Sequence, residues 1–280
     1  MSAAPDPGEH QPVDHVRPAE SVQPFDTFIV RRVNFFDVNA ALRLGAKDFA
    51  RRPVLSMFFG LVMALFGVLF VAGLFVFDQL WMIVPAGVGF PLVAPFLAAG
   101  LYEMSRRYQL EQRFSWGNIL AVVFKQQRRE FGWMAFVMLF VFWVWIYQVR
   151  LLLALFLQWT SFSSLDGLVL VLTTTTNGAL FLAVGTAVGA FLATVLFSIT
   201  VIAMPLLLDE EIDFVSAMIL SVKTVAANPG VMLCWGIIIA LLTFVAILPL
   251  FLGVVVILPI LGHTTWHLYK RALGRRVPKA

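Results

Sequence analysis

The sequence DVNAALRLGAK at Asp37–Lys47 opens the first of three similar units in the chain. The same register returns as SWGNILAVVFK at Ser115–Lys125 and as DFVSAMILSVK at Asp213–Lys223. Each copy begins with a residue type that caps helix N-termini, ends on a lysine and leads into an apolar stretch. The pattern predicts three partly amphipathic helices that lie in the membrane interface, each capped by its first residue and followed by a membrane hairpin.

The composition places the chain in a membrane. Apolar residues make up 60% of the 280 residues, charged residues only 13%, and the mean hydropathy is +0.89. Soluble domains are roughly half apolar and a quarter charged, so the composition indicates an integral membrane protein. Cys234 is the only cysteine, which excludes an intramolecular disulfide and a cysteine-based metal cluster within one chain.

Three regions differ in composition. Residues 1–27 are rich in proline and acidic residues, and they are predicted to form a disordered cytoplasmic tail because they cannot bury enough apolar surface. This tail has no basic segment leading directly into an apolar core, so the first membrane helix is expected to act as the insertion signal. Residues 28–272 are predicted to form the membrane domain, and residues 273–280 a basic cytoplasmic tail.

Six apolar stretches are long enough to cross a bilayer, which takes about 20 helical residues. The predicted crossings are 54–77, 80–102, 133–150, 179–208, 231–248 and 250–267. Residues 151–176 are too many to add to a neighbouring crossing, so they are predicted to be re-entrant or to lie on the outer surface. Pro249 is taken to mark the turn between the last two crossings, with one long kinked helix as the alternative.

The positive charges define the topology. Nineteen of the 20 Lys and Arg residues fall on one side of the six crossings, and only Arg150 falls on the other. Cytoplasmic segments carry the excess of Lys and Arg, so both termini are predicted to be cytoplasmic. The predicted fold is all-α: a polytopic membrane protein whose six transmembrane helices form three parallel repeats of interfacial helix plus helical hairpin.

A family resemblance rests on three stretches of the sequence: Gly89–Arg107, Phe142–Arg150 and Leu261–Lys270. Through these stretches, residues 28–272 resemble a bacterial family of predicted integral membrane proteins known only as domain of unknown function 2189. The resemblance implies a location in the inner membrane of a Gram-negative bacterium. It implies no activity.

The most site-like residues are two histidines near the cytoplasmic end of the sixth crossing. His263 and His267 are spaced i and i+4, so they share one helix face. The parallel repeat places Glu103 and Asp209 at the same depth, and two imidazoles with two carboxylates suit zinc or another divalent ion. The favoured alternative is an interfacial belt with the histidines bonded to lipid headgroups, so no cofactor is predicted.

Other polar residues have a structural and a functional interpretation. Four arginines of the basic segment are candidates for binding anionic lipid headgroups, although the ordinary topology signal explains them as well: Arg106, Arg107, Arg128 and Arg129. The run Thr173–Asn177 either lines a polar cavity or, as we favour, satisfies the backbone where a helix breaks. The net charge of +4 comes from the excess of Lys and Arg in the segments on one side of the membrane, so it does not indicate nucleic-acid binding.

The sequence contains no His-Glu-x-x-His, Gly-x-Ser-x-Gly or phosphate-binding glycine signature, so we do not predict an enzyme. Three hypotheses remain: a non-catalytic structural or accessory membrane component with a membrane-protein partner, a small transporter or channel, and a metal-dependent membrane enzyme. Parallel rather than inverted repeats, and few ionisable residues at mid-membrane, place the accessory component first and the transporter second.

Overall fold

A computed structural model describes residues 27–77, 97–112, 128–157 and 165–275. The described chain is almost entirely helical, which confirms the all-α fold class. In chain order the elements are β1 (Phe28–Val30), α1 (Phe35–Arg51), α2 (Pro53–Val76), α3 (97–109), α4 (Arg128–Leu157), α5 (Leu165–Thr174), α6 (Thr176–Thr200), α7 (Ala203–Asp209), α8 (Phe214–Ala227), α9 (Pro229–Ile247), α10 (Val254–Ala272) and β2 (Leu273–Arg275).

Four helical segments in the described residues are long and apolar enough to cross a membrane: Pro53–Val76, Glu130–Leu157, Thr176–Asp209 and Pro229–Ile247. They correspond to the predicted first, third, fourth and fifth crossings. The predicted second crossing falls mostly on residues 78–96, which lie outside the described residues. The predicted sixth corresponds to α10, whose first half is apolar and whose second half is polar and buried. The count of six crossings stays a prediction.

The long apolar stretch after residue 133 is divided into helices at other positions than predicted. Helix α4 does not end at Arg150 but continues to Leu157, and the fourth crossing begins at Thr176 rather than at residue 179. The predicted split occurs at Thr175, whose hydroxyl accepts a hydrogen bond from the Gly178 N–H at 2.9 Å. The Thr175 hydroxyl also donates to the Val171 carbonyl at 2.7 Å, so it satisfies the backbone at the break, as favoured.

A tight turn separates the last two helices. Helix α9 ends at Ile247 and α10 begins at Val254, so the interpretation of one long kinked helix is wrong and the turn at Pro249 is confirmed. Leu250 and Phe251 adopt φ angles of 51° and 65°, in the left-handed region that L-residues rarely occupy.

The first and third interfacial helices begin in different ways. In α1 the N-cap is Asn34, whose side chain accepts from the Asp37 N–H while Asp37 accepts from the Asn34 N–H, both at 3.0 Å. This is a capping box, so the prediction that Asp37 is the N-cap is wrong. In α8 the predicted cap is confirmed, because Asp213 accepts from the Ser216 N–H at 2.8 Å. Ser115 lies outside the described residues, and the threefold repeat stays a prediction.

The two ends of the described chain meet. Strands β1 and β2 pair antiparallel with Ile29 opposite Gly274, so three residues of the predicted C-terminal tail are paired. Asp37 forms an ion pair with Arg271 at 3.0 Å. Because these contacts join the segment before the first crossing to the segment after the last helix, both segments lie at one face of the protein.

The segment between the fourth and fifth crossings reaches the same face. The Asn228 side chain accepts from the Val33 N–H at 2.9 Å and donates to the Arg31 carbonyl at 3.0 Å. Asp209, at the end of α7, lies 2.7 Å from the Lys270 ammonium and 3.2 Å from the Arg106 guanidinium. We call this face the polar layer: the end of α3, the α7–α8 linker, Asn228, the end of α10 and the two strands.

Candidate functional site

The two predicted site histidines lie inside the protein, where α10 packs against α1 and α2. His263 is 0% exposed and His267 is 5% exposed, so neither side chain is available to lipid headgroups. The close packing of α1 on α10 is made possible by Gly45, where an added Cβ would lie 2.4 Å from the Thr264 hydroxyl oxygen. Helix α1 therefore covers the face of α10 that carries the two histidines.

His263 is held by two serines from different helices. The Ser105 hydroxyl donates to Asp48 Oδ2 at 2.9 Å and lies 2.7 Å from His263 Nδ1. A hydroxyl has one proton, so Nδ1 must carry the proton of the neutral imidazole and donate to Ser105. His263 Nε2 is then an acceptor, and the Ser56 hydroxyl at 3.1 Å donates to it.

His267 forms the second branch of the same network. Its Nε2 lies 2.7 Å from Asp48 Oδ2, and its Nδ1 lies 3.3 Å from the Gln109 amide nitrogen. The Trp266 indole donates to the Gln109 amide oxygen at 3.2 Å, which fixes the orientation of that amide. The two branches share the Asp48 carboxylate, and we call the six residues the His network: Asp48, Ser56, Ser105, Gln109, His263 and His267.

Asp48 is the anionic centre of the His network and is only 3% exposed. Burial alone would raise the pKa of its carboxyl group. The hydrogen bonds from His267 and Ser105 outweigh burial and lower the pKa below its usual 3.8. The carboxylate is therefore ionised at neutral pH and compensated within the protein.

The two predicted acidic ligands belong to a separate network. Glu103, fully buried, lies 2.6 Å from the Arg107 guanidinium and 3.4 Å from that of Arg106. Asp209 accepts from Arg106, from Lys270 and from the Tyr269 hydroxyl, the last at 2.8 Å. Arg106 therefore bridges the two carboxylates, and cations rather than imidazoles neutralise them.

The four-residue metal site predicted from the sequence is not assembled. The histidines lie in the His network, whereas Glu103 and Asp209 are paired with basic side chains. Among residues 27–77, 97–112, 128–157 and 165–275, no group of three or more His, Cys, Asp or Glu is placed to hold a metal ion. The partner that sequence reasoning missed is Asp48.

The predicted lipid-binding arginines divide in the same way. Arg106 and Arg107 pair with Glu103 and Asp209, so their charges serve the fold. The side chains of Arg128 and Arg129 lie outside what the structure describes. Binding of anionic lipid at these four positions stays a prediction.

A second feature lies among the membrane helices. Helices α4, α6, α9 and α10, with the start of α3, surround a cavity of about 650 Å³. The described part of its wall is mostly apolar. The lining residues that carry a polar side-chain group are Tyr102, Trp145, Thr186, Thr200, Thr243 and Thr265.

Two glycines of α6 allow α4 to approach the cavity wall. An added Cβ at Gly189 would lie 2.9 Å from the Trp145 ring, whereas one at Gly185 would lie 3.7 Å from Leu152. The glycine pair therefore allows close helix packing, most clearly at Gly189, which lies against the indole ring.

The comparison with protein families adds one finding. A family model described as "Predicted integral membrane protein (DUF2189)" matches residues 83–209. These residues, which are less than half of the chain, are similar to the DUF2189 family. No curated protein and no solved structure matches the chain.

The DUF2189 match covers less of the chain than the resemblance predicted. It includes α4 and α6, which form one side of the cavity, and it includes Glu103 and Asp209. Asp48 and the two histidines lie outside the matched residues. The DUF2189 description identifies an integral membrane protein, in agreement with the four apolar helices, and names no reaction or ligand.

Proposed function

We propose that the protein is a non-catalytic structural or accessory component of a bacterial inner membrane. The observation that carries this proposal is that the three buried carboxylates are all paired with side chains of the protein itself. Asp48 is engaged by His267 and Ser105, Glu103 by two arginines, and Asp209 by Arg106, Lys270 and Tyr269. An enzyme or ion-coupled transporter needs reactive or exchangeable groups at an accessible site, whereas these groups hold helices together.

The proposed topology has both termini in the cytoplasm. The pairing of β1 with β2 supports an even number of crossings, because it joins the two ends of the membrane domain at one face. The distribution of Lys and Arg supports a cytoplasmic location for that face. The inner-membrane location rests on the family resemblance.

An accessory component should occur in a defined assembly. We expect tagged protein, extracted from its own membranes into lipid nanodiscs, to migrate in native electrophoresis as one complex larger than the 31.2 kDa chain, with a membrane-protein partner at fixed stoichiometry. The control is an unrelated inner-membrane protein carrying the same tag. Migration as the chain alone, before and after chemical cross-linking, would contradict the proposal.

A small transporter is the second candidate, because the cavity between α4, α6, α9 and α10 provides space for an apolar solute. Proteoliposomes should separate the two functions. The accessory proposal predicts no flux of ions, metabolites or labelled lipids above that of protein-free liposomes. Flux that is abolished by Ala240→Phe, which fills the cavity, would replace the accessory function by transport.

A further inference from the structure

The membrane cavity has the character of a binding site for an apolar molecule. Among the residues that the structure describes, its lining includes no Asp, Glu, Lys, Arg or His, and large apolar side chains such as Phe181, Phe244 and Leu261 form its wall. A volume of about 650 Å³ lies in the range of ligand sites. Water is a poor occupant, because a buried water needs several polar partners. Hydrocarbon is the chemistry that matches this wall.

Two hydroxyls in the wall distinguish the cavity from an ordinary packing defect. Most hydroxyls in these helices donate to a backbone carbonyl one turn earlier, as Thr194, Ser198 and Thr200 do at 2.7 Å each. Thr186 and Thr243 line the cavity and make no such bond to any described residue. The Trp145 indole N–H in the same wall is buried and also has no partner among the described residues. Polar donors without a partner in apolar surroundings cost free energy, so these groups favour a ligand that offers an acceptor.

Thr243 lies at a depth that suits one type of acceptor. It is four residues before the end of α9, about 6 Å along the helix axis from the turn. Helix α9 has 19 residues and is about 28 Å long, close to the thickness of the hydrocarbon core, so the turn at its end lies near the membrane boundary. The ester carbonyls of glycerolipids lie at this boundary, with the acyl chains extending from them into the hydrocarbon.

We propose that the cavity binds an acyl chain of a membrane glycerolipid, and that the Thr243 hydroxyl donates a hydrogen bond to the ester carbonyl. The uncharged lining leaves the headgroup outside the cavity. This inference does not depend on the proposed function, because an accessory protein and a transporter are both compatible with a bound lipid.

The first test fills the cavity. Delipidated protein in detergent is mixed with dioleoyl phosphatidylethanolamine, and bound lipid is counted by native mass spectrometry. The parent should retain one lipid per chain, and Ala240→Phe should retain none. Ala183→Phe is the matched control, because Ala183 is exposed on α6 but does not line the cavity. Equal lipid in both variants, or no retained lipid in the parent, would overturn the proposal.

The second test isolates the hydrogen bond. The parent should bind the diester lipid about two- to tenfold more tightly than its diether analogue, which lacks the carbonyl oxygens. Thr243→Val should remove this preference. Thr194→Val should keep it, since the Thr194 hydroxyl already donates to the Ala190 carbonyl. A preference that survives in Thr243→Val, or a site that takes decylubiquinone and rejects glycerolipid, would refute the assignment.

Discussion

Replacing Asp48 with alanine is predicted to be among the most destabilising single changes in the polar part of the protein. Asp48 Oδ2 accepts from Ser105 at 2.9 Å and lies 2.7 Å from His267 Nε2, and all three side chains are buried. Alanine leaves the serine and histidine donors without partners in a region closed to water. Hydrogen bonds to charged groups contribute about 1.5–3 kcal/mol each, so we expect a loss of about 3–5 kcal/mol.

The assay is reversible unfolding in mixed micelles, followed by circular dichroism at neutral pH. Arg51→Gln is the matched control, because it removes a partly exposed partner 3.4 Å from the same carboxylate. Its loss should stay below about 1 kcal/mol. If Asp48→Ala costs no more than Arg51→Gln, the His network does not stabilise the packing of α1 on α10.

The pH dependence of stability provides an independent check of Asp48. Its pKa is lower in the folded protein than the usual 3.8, so the folded state binds this proton less readily than the unfolded state. The resulting stabilisation is complete above the unfolded pKa and is lost as the pH falls through the lowered folded pKa. Asp48→Asn should lack this part of the acid dependence, and an unchanged acid profile would contradict the assignment.

Further predictions concern helix caps and close packing. Asn34→Ala and Asp213→Ala should each lower the free energy of unfolding by about 1 kcal/mol, because each removes an observed cap. Gly45→Ala should cost about 1–3 kcal/mol, since its Cβ would lie 2.7 Å from the Thr264 backbone nitrogen. Gly73→Ala, where no described atom outside the backbone of its own helix lies within 4 Å of the added Cβ, should be neutral or slightly stabilising in the same unfolding assay.

The caps show what local sequence can predict. Asp213 precedes an apolar helix and is followed three residues later by Ser216, whose N–H it accepts, so it was correctly identified as a cap. Asp37 has the same residue type but stands three positions after Asn34, another capping residue. A box pairs both side chains with both backbone amides, so the helix begins one turn earlier than the aspartate alone suggests.

The His network shows where local sequence reasoning ends. Spacing along α10 correctly placed His263 and His267 on one face, but it gave no information on the partner contributed by α1. One signal was present: Asp48 follows Val38, Ala41 and Gly45 at helical spacing, on the buried side of α1. A carboxylate on a buried stripe requires a partner, and the two histidines on one face of α10 were candidates for that role.

The repeat predicted the depth of Glu103 and Asp209 correctly, but it did not predict which side chains they contact. Both lie in the polar part of the protein, as predicted, yet each has basic residues within one or two turns or on the facing helix. Arg107 follows Glu103 by four residues, which is the spacing of a helical ion pair. A cationic side chain at this spacing competes with a metal ion for the carboxylate. The spacing of Glu103 and Arg107 was visible in the sequence.

The measurement that tests the topology most directly is cysteine labelling in spheroplasts. In a Cys234→Ala background, single cysteines at Ser2, Ser163 and Ala280 are exposed to a membrane-impermeant maleimide before and after permeabilisation. Six crossings with both termini in the cytoplasm predict that Ser163→Cys is labelled in intact spheroplasts, and that Ser2→Cys and Ala280→Cys are labelled only after permeabilisation. Labelling of Ala280→Cys in intact spheroplasts would contradict the account.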